Sequence, residues 1–235
     1  MGIERPILLD LPAEWAGERV VLRRWREEDA AALFAAIAAS RDHLARWFPW
    51  PAQHREVDDT RAFIREQGGH WSLHRHAGLG ICRRADGALL GSLGVSARDW
   101  SVPAFELGYW LGRDAEGRGY ASEAVRLMTR FLFEGLRAER VAIGCDARNA
   151  RSKAVPERLG FVLEGRLRRD SLAPDGTIRD SLIYAMIPDD YERARATWPA
   201  WRSEALNAPR CCAQVRQVRP HGRTSDRASR GSPPR

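Results

Sequence analysis

The stretch Arg19 to Trp25, RVVLRRW, is rich in β-branched and aromatic residues and predicts a strand. Glu27, Glu28 and Asp29 follow, and acidic residues there favour a helix start, which an Ala-rich amphipathic stretch carries to about Ser40. Leu44 to Pro51 (LARWFPWP) sets two prolines among bulky aromatics, which forbids a regular helix and predicts a packed loop. Asp58 and Asp59 cap a short helix to about Gln67. From Trp71 to Leu111 the pattern gives three strands, with Asp86-Gly87 as a hairpin turn between the first two, so antiparallel pairing is expected. Ala121, Ala124, Val125, Met128, Phe131, Leu132 and Gly135 then recur at helical spacing and make one buried stripe. Val141 to Cys145 reads as a short buried strand, and a second helix between Asn149 and Leu159 ends at Gly160. Two last strands, Phe161 to Arg168 and Thr177 to Met186, flank Pro174-Asp175-Gly176, and Asp189 opens a polar helix to about Trp201. The pattern is mixed α/β (α+β) without internal repeats. One domain spans residues 15–203, with residues 1–14 as an N-terminal extension and 204–235 as a tail.

That tail changes the meaning of the charge. The 235 residues carry a net +7, which would ordinarily suggest a nucleic-acid partner. Leu206 to Arg235 holds seven Arg and one Asp, so +6 of it sits in a Gly/Ser/Pro/Arg-rich segment expected to be disordered. The other 205 residues carry only +1, and no nucleic-acid partner is implied. Ala30 to Ala39 is the longest apolar run, well short of the roughly 20 residues a membrane span needs. The start, Met1 to Pro6, has no apolar stretch of a signal peptide, so a cytoplasmic protein without a membrane partner is expected. Cys82, Cys145, Cys211 and Cys212 have neither zinc-ligand spacing nor a disulfide framework, and His70, His74 and His76 lack a convincing fourth ligand; no metal is expected.

The chemistry concentrates between Glu106 and Ser122: a strand, a Gly-rich loop, then the start of the long helix. Gly117 and Gly119 allow successive backbone N–H groups to point into one concavity, and the helix N-terminus adds positive potential, so a pyrophosphate fits without lysine. Alone, such a loop is equally a tight turn entering a helix. It gains meaning from Asn149-Ala-Arg-Ser152-Lys-Ala-Val-Pro156-Glu-Arg158-Leu-Gly160-Phe161 downstream. Together the two segments resemble the GNAT family of acyl-CoA-dependent N-acetyltransferases. The family's pyrophosphate loop, Gln/Arg-x-x-Gly-x-Gly/Ala, is met at Glu116-Gly117-Arg118-Gly119-Tyr120-Ala121, except that Glu116 replaces the first Gln or Arg. Backbone contacts survive that change, and Arg113 and Arg118 are candidates to offset the carboxylate. Leu22-Arg23, Glu28-Asp29-Ala30, Arg41 to Trp50, Phe161 to Arg168 and Asp180 to Tyr184 narrow the resemblance to the RimJ/RimL-type subgroup, which acetylates protein N-termini or small amines.

The resemblance implies a GNAT fold, a twisted, mixed, mostly antiparallel sheet flanked by helices, splayed between the strand ending at Leu111 and the one starting near Arg140. Acetyl-CoA would lie in the splay. Its pantetheine would pair with backbone near Trp110 and Leu111, and its phosphates would meet Glu116, Gly117, Arg118, Gly119, Tyr120, Ala121 and Ser122, with Asn149 and Ser152 holding the other side. Glu106, on the strand before the loop, is the candidate base; otherwise it is a solvated strand residue or the partner of an arginine. An α-amine has a pKa near 8, so roughly a tenth is neutral at pH 7, and a water-mediated base suffices. Many members protonate the leaving thiolate with a tyrosine at the place held here by Pro156. Ser152 is the replacement candidate, its alternative being a capping role in its own turn. Pro156 also deprives the Ser152 carbonyl of its helical donor, so the segment is kinked or its helix begins after Asn149. Trp47 and Trp50 are candidates to line the acceptor site or to cover the first helix, and Tyr184 is either an acceptor contact or a core tyrosine.

The expected function is acetyl-CoA-dependent N-acetylation of a primary amine, with a protein N-terminus, such as that of a ribosomal protein, as favoured acceptor. The alternatives are a small-amine or antibiotic acetyltransferase and a non-catalytic acyl-CoA-binding module. A homodimer is compatible with all three.

Overall fold

The computed structural model describes residues 2–199; the expected Arg-rich tail and Trp201 lie outside them. Eight strands form one sheet: β1 (Glu14–Ala16), β2 (Val20–Arg24), β3 (His76–Arg83), β4 (Leu89–Asp99), β5 (Ala104–Leu111), β6 (Arg140–Asp146), β7 (Val162–Leu172) and β8 (Ile178–Met186). Their spatial order is β1-β2-β3-β4-β5-β6-β8-β7, and every neighbouring pair is antiparallel except β5 and β6. A parallel pair requires a crossover, which helix α4 (Tyr120–Leu136) provides.

The apolar stripe of α4 explains where it lies. Ala124, Val125, Met128, Phe131 and Leu132 are buried in one core with Leu79, Leu93, Phe105 and Leu107 of the strands. Alternation along β5 sends Phe105 and Leu107 into that core and Glu106 and Gly108 to the other face. Helix α5 (Ala150–Leu159) lies on the α4 face, held against β6 and β7. The opposite face is partly covered by α1 (Ala30–Ala39) and α3 (Val57–Ser72), where Leu33, Ile37 and Ile64 pack with Trp25, Trp50 and Trp110. A four-residue turn, α2 (Arg41–Leu44), follows α1, and α6 (Pro188–Arg195) closes the described chain.

Several expected boundaries move. Trp71, expected in the first of three strands, belongs to α3, which runs on to Ser72 through Gly68 and Gly69; β3 starts only at His76. Thr60, Ile64 and Trp71 form one buried helical stripe, and Trp71 meets the Trp15 ring edge-on at 6.2 Å. That tertiary burial outweighs the roughly 1 kcal/mol each glycine costs a helix. The expected loop from Leu44 is bounded by helical turns, α2 and a 3-10 turn at Trp50–Gln53. Strand β1 is too short to show an alternation, β7 reaches Leu172, and α6 stops at Arg195 rather than near Trp201. Helix α5 begins at Ala150 and passes through Pro156 to Leu159 before Gly160 ends it at φ +85°.

Candidate active site

Strands β5 and β6 are in register at four positions, from Ala104 opposite Arg140 to Leu107 opposite Ile143. Beyond them the pairing stops, so Gly108 to Leu111 of β5 keep an edge without a strand partner among the described residues. Backbone N–H and C=O groups so placed demand hydrogen bonds, and an extended amide-bearing chain can supply them. Trp110 and Leu111 lie on this edge.

The edge leads into the Gly-rich loop. Gly117 and Gly119 adopt φ +71° and +80°, left-handed conformations that side-chain-bearing residues rarely take. Gly119 caps α4, whose first residues are Tyr120, Ala121 and Ser122, so the loop delivers its N–H groups to a helix N-terminus. A buried carboxylate fixes this junction. Glu123, 2% exposed, accepts hydrogen bonds from the Arg19 backbone N–H (2.7 Å), Arg19 Nε (2.8 Å) and the Val20 N–H (3.2 Å). Arg19 also donates to the Arg118 carbonyl (3.0 Å) and lies over the Tyr120 ring, while Arg158 donates to Ser122 Oγ at 2.8 Å. Glu116 does not face the loop uncompensated: its Oε1 lies 2.8 Å from His43 Nε2 of α2, and Oε2 pairs with Arg151 of α5. Its partners are therefore His43 and Arg151, not the expected Arg113 or Arg118.

Across the opening, Asn149 caps α5, its Oδ1 accepting from the Ser152 N–H at 3.0 Å. That bond leaves the carboxamide NH2 as the end to turn toward a ligand. Pro156 withholds the donor that the Ser152 carbonyl needs, and Tyr109 of β5 replaces it, donating its hydroxyl to that carbonyl at 2.9 Å. Burial pushes the Tyr109 phenol above its ordinary pKa and does the same to the Cys145 thiol of β6. Tyr184, 2% exposed, donates to Glu157 Oε1 at 2.8 Å. It is a core tyrosine with a satisfied hydroxyl.

The other face of the opening carries Glu106, whose carboxylate is 43% exposed and lies 3.4 Å from Arg98. Strand register lines up Gly78, Gly94 and Gly108 on this face, and Gly144 continues the row beyond Ile143. Gly108 and Gly144 are exposed, and a Cβ on Gly108 would meet nothing within 4 Å. Gly78 is buried beneath the Gln67 side chain and Gly94 lies against the His76 ring, so the bare floor beside Glu106 is the Gly108 and Gly144 end of the row, where another backbone can approach closely. Trp50 packs on Trp110 (ring centroids 5.4 Å apart) and against α1, so it covers the first helix. Trp47 is half-buried, its carbonyl accepting from Arg179 Nη1 at 3.2 Å. Arg179 also lies 3.7 Å from Asp146, a buried carboxylate at the end of β6 that pairs with Arg148. Of the histidines, His74 bonds the Pro6 carbonyl and His76 the Ser96 hydroxyl. No group of three metal-ligating side chains gathers among the described residues.

Residues 19–162 match the family model described as an acetyltransferase (GNAT) domain. The chain belongs to the GNAT acetyltransferase family. It is therefore an enzyme of acyl transfer, and the opening between β5 and β6 is the GNAT splay, placed where the resemblance put it. The chain is 30% identical over 178 residues, 74% of its length and 94% of the relative's, to YdaF of Bacillus subtilis, a candidate ribosomal N-acetyltransferase by name. It is 26% identical over 174 residues to a ribosomal-protein-serine acetyltransferase of Escherichia coli, covering 73% and 94% of the two chains. The solved structure of Mycobacterium smegmatis RimJ, in complex with a CoA disulfide, superposes with a TM-score of 0.71 at 25% identity, covering 79% of this chain and 94% of that one. Of these, the RimJ structure was solved with coenzyme A, as its disulfide.

Three elements of the site were not expected. Glu123 stands in the first turn of α4, and a carboxylate there is a sequence-level signal for a helix start, yet its partner Arg19 lies 104 residues away. The His43–Glu116–Arg151 contact joins three separate segments. Tyr109 had a visible clue in Pro156, because an orphaned carbonyl needs a donor, but the donor's identity depends on which strand lies opposite.

Proposed function

We propose that this GNAT enzyme transfers the acetyl group of acetyl-CoA to the α-amine of a protein N-terminus, that of a ribosomal protein foremost, in the cytoplasm. The observation that carries the reading is the bare glycine floor beside Glu106 at the mouth of the splay. The two exposed neighbouring glycines, Gly108 and Gly144, leave strand backbone bare there, which suits an extended peptide end whose own backbone needs close approach. The names of YdaF and the Escherichia coli relative point the same way.

In this reading the phosphates rest on the N–H groups from Gly117 to Tyr120, and pantetheine pairs along the free edge of β5 near Trp110 and Leu111. Asn149 orients it from the α5 side. The acceptor amine enters over Gly108, with Trp47 and Trp50 in the wall, and loses its proton through a water held by Glu106. Arg98 lies 3.4 Å from that carboxylate without sealing it from water, which suits a water-mediated base. An α-amine needs no more: its pKa near 8 lies about 2.5 units below a lysine's, or about 3.4 kcal/mol less to deprotonate.

Thiol release from acetyl-CoA, measured with peptides bearing free Ser, Ala or Met N-termini and with polyamines and aminoglycosides, tests the reading. Turnover with the peptides supports it. Turnover with small amines alone moves the protein to metabolite or antibiotic modification, and silence with both, acetyl-CoA binding intact, makes it a binding module.

A further inference from the structure

Acetyl transfer forms an N–C bond and breaks C–S with its electron pair on sulfur, so nitrogen loses one proton and sulfur gains one. Glu106 accounts for the first proton only. It projects from one face of β5, whereas Tyr109, three residues on, projects from the other, into the space between β5, β6 and α5. We propose that the Tyr109 hydroxyl is the hydrogen-bond and proton donor to the sulfur of the departing coenzyme A. The inference rests on the acyl-transfer reading and deepens it.

Three observations support the choice. First, position: Tyr109 lies two residues past Leu107, the last β5 residue paired with β6, on the stretch whose edge pantetheine would follow. Second, availability. Tyr184 is committed to a carboxylate, a charge-assisted bond of about twice the neutral strength, while Tyr109 donates to a neutral carbonyl and can exchange it for a developing thiolate. Third, protonation: burial holds the phenol above its ordinary pKa, so the hydroxyl carries its hydrogen at neutral pH. As C–S breaks, the phenolic proton moves to sulfur, and the tyrosine recovers one from solvent, where the amine's proton was released.

Pro156 makes the hypothesis separable from a structural role, because Tyr109 also caps the carbonyl that Pro156 leaves without a donor. Replacing Pro156 by Ala restores the residue-156 N–H as donor to Ser152. Purified full-length wild type, Y109F, Y109F/P156A and S152A are compared by kcat for thiol release, by acetyl-CoA Kd and by Tm. The expected results for Y109F are an about 100-fold loss of kcat, as for removal of one preorganised donor, and an acetyl-CoA Kd within twofold of wild type. Y109F/P156A should recover Tm but remain as slow. Wild-type kcat in Y109F, recovery of kcat in Y109F/P156A, or a large loss confined to S152A would each overturn the assignment. If wild type releases no thiol with any acceptor, the acyl-transfer reading itself fails and this inference with it. A slow Y109F beside an active wild type leaves that reading intact.

Discussion

The two sides of the splay are built on different principles. The proposed donor side is local in sequence: β5, the Gly-rich loop and the start of α4 follow one another from Ala104 to Ser122, and in the proposed reading they would meet a pyrophosphate through backbone N–H groups. Side chains can change there at little cost, which is why Glu116 can replace the family's Gln or Arg once His43 and Arg151 meet its charge. The proposed acceptor side is assembled from distant pieces. Trp47, Glu106, Gly144 and Arg179 come from four segments, placed by strand register and by the Arg179 bridge to the Trp47 carbonyl and Asp146. A site made of backbone geometry keeps its ligand through divergence; one made of scattered side chains can exchange acceptors without losing its fold.

The sharpest way to break the comparison is at the loop. Gly119→Val places a branched side chain at φ +80° and a Cβ about 3.2 Å from the Arg19 guanidinium, so acetyl-CoA Kd should rise at least about 30-fold, the equivalent of roughly 2 kcal/mol of backbone strain. By contrast, Glu116→Gln, a side-chain change in the same loop, should alter Kd only a few-fold; titration calorimetry reads both. Glu106→Gln should cut kcat about 30- to 100-fold near pH 6.5. The deficit should shrink as pH rises and the α-amine deprotonates unaided, so an unchanged pH profile removes Glu106 as base.

Gly108→Val fills the bare floor where nothing in the free protein objects. Peptide KM should rise about tenfold, roughly 1.4 kcal/mol, with acetyl-CoA Kd unchanged. An effect confined to acetyl-CoA would move the acceptor elsewhere. Glu123→Ala strips three hydrogen bonds from the junction of β2 and α4 and should lower stability by about 2–3 kcal/mol in urea unfolding.

The smallest effect concerns acid. Burial alone would raise the Asp146 carboxyl, but hydrogen bonds from the Arg148 guanidinium and backbone N–H, with Arg179 nearby, hold it below the ordinary value of 3.8. A depressed folded-state pKa contributes stability above the unfolded value and loses it as pH falls through the folded one. Asp146→Asn should therefore cost about 1 kcal/mol at pH 7, and its Tm deficit should close below about pH 4. A deficit constant down to pH 3 would mean that the carboxylate's charge plays no part.

The same contrast explains what was legible in the sequence. The periodic stripe of α4, the Asp86-Gly87 hairpin, Gly160 at the end of α5 and the two loop glycines are signals in which neighbouring residues state their own geometry, and the structure places each accordingly. Trp71 failed because its preference for strands was outweighed by burial against Trp15, a partner 56 residues earlier. Pro156 offered two outcomes, a kink or a helix beginning after Asn149, and the chain took the second: the helix begins at Ala150 and passes through Pro156, and the donor that Pro156 withholds comes from a hydroxyl of β5 that no local pattern named. A tyrosine on a late strand serves a site or a core equally well, and only the fold shows that Tyr184 is buried with its hydroxyl on Glu157. What was hidden is, in each case, a contact between segments whose register no local pattern specifies.

The central claim is that the acceptor is an α-amine. Two peptides of otherwise equal sequence decide it in one assay of acetyl-CoA-dependent thiol release, one with a free N-terminus and no lysine, the other with a blocked N-terminus and an internal lysine. The account predicts turnover with the first and none with the second. Equal or greater turnover with the blocked, lysine-bearing peptide would contradict it.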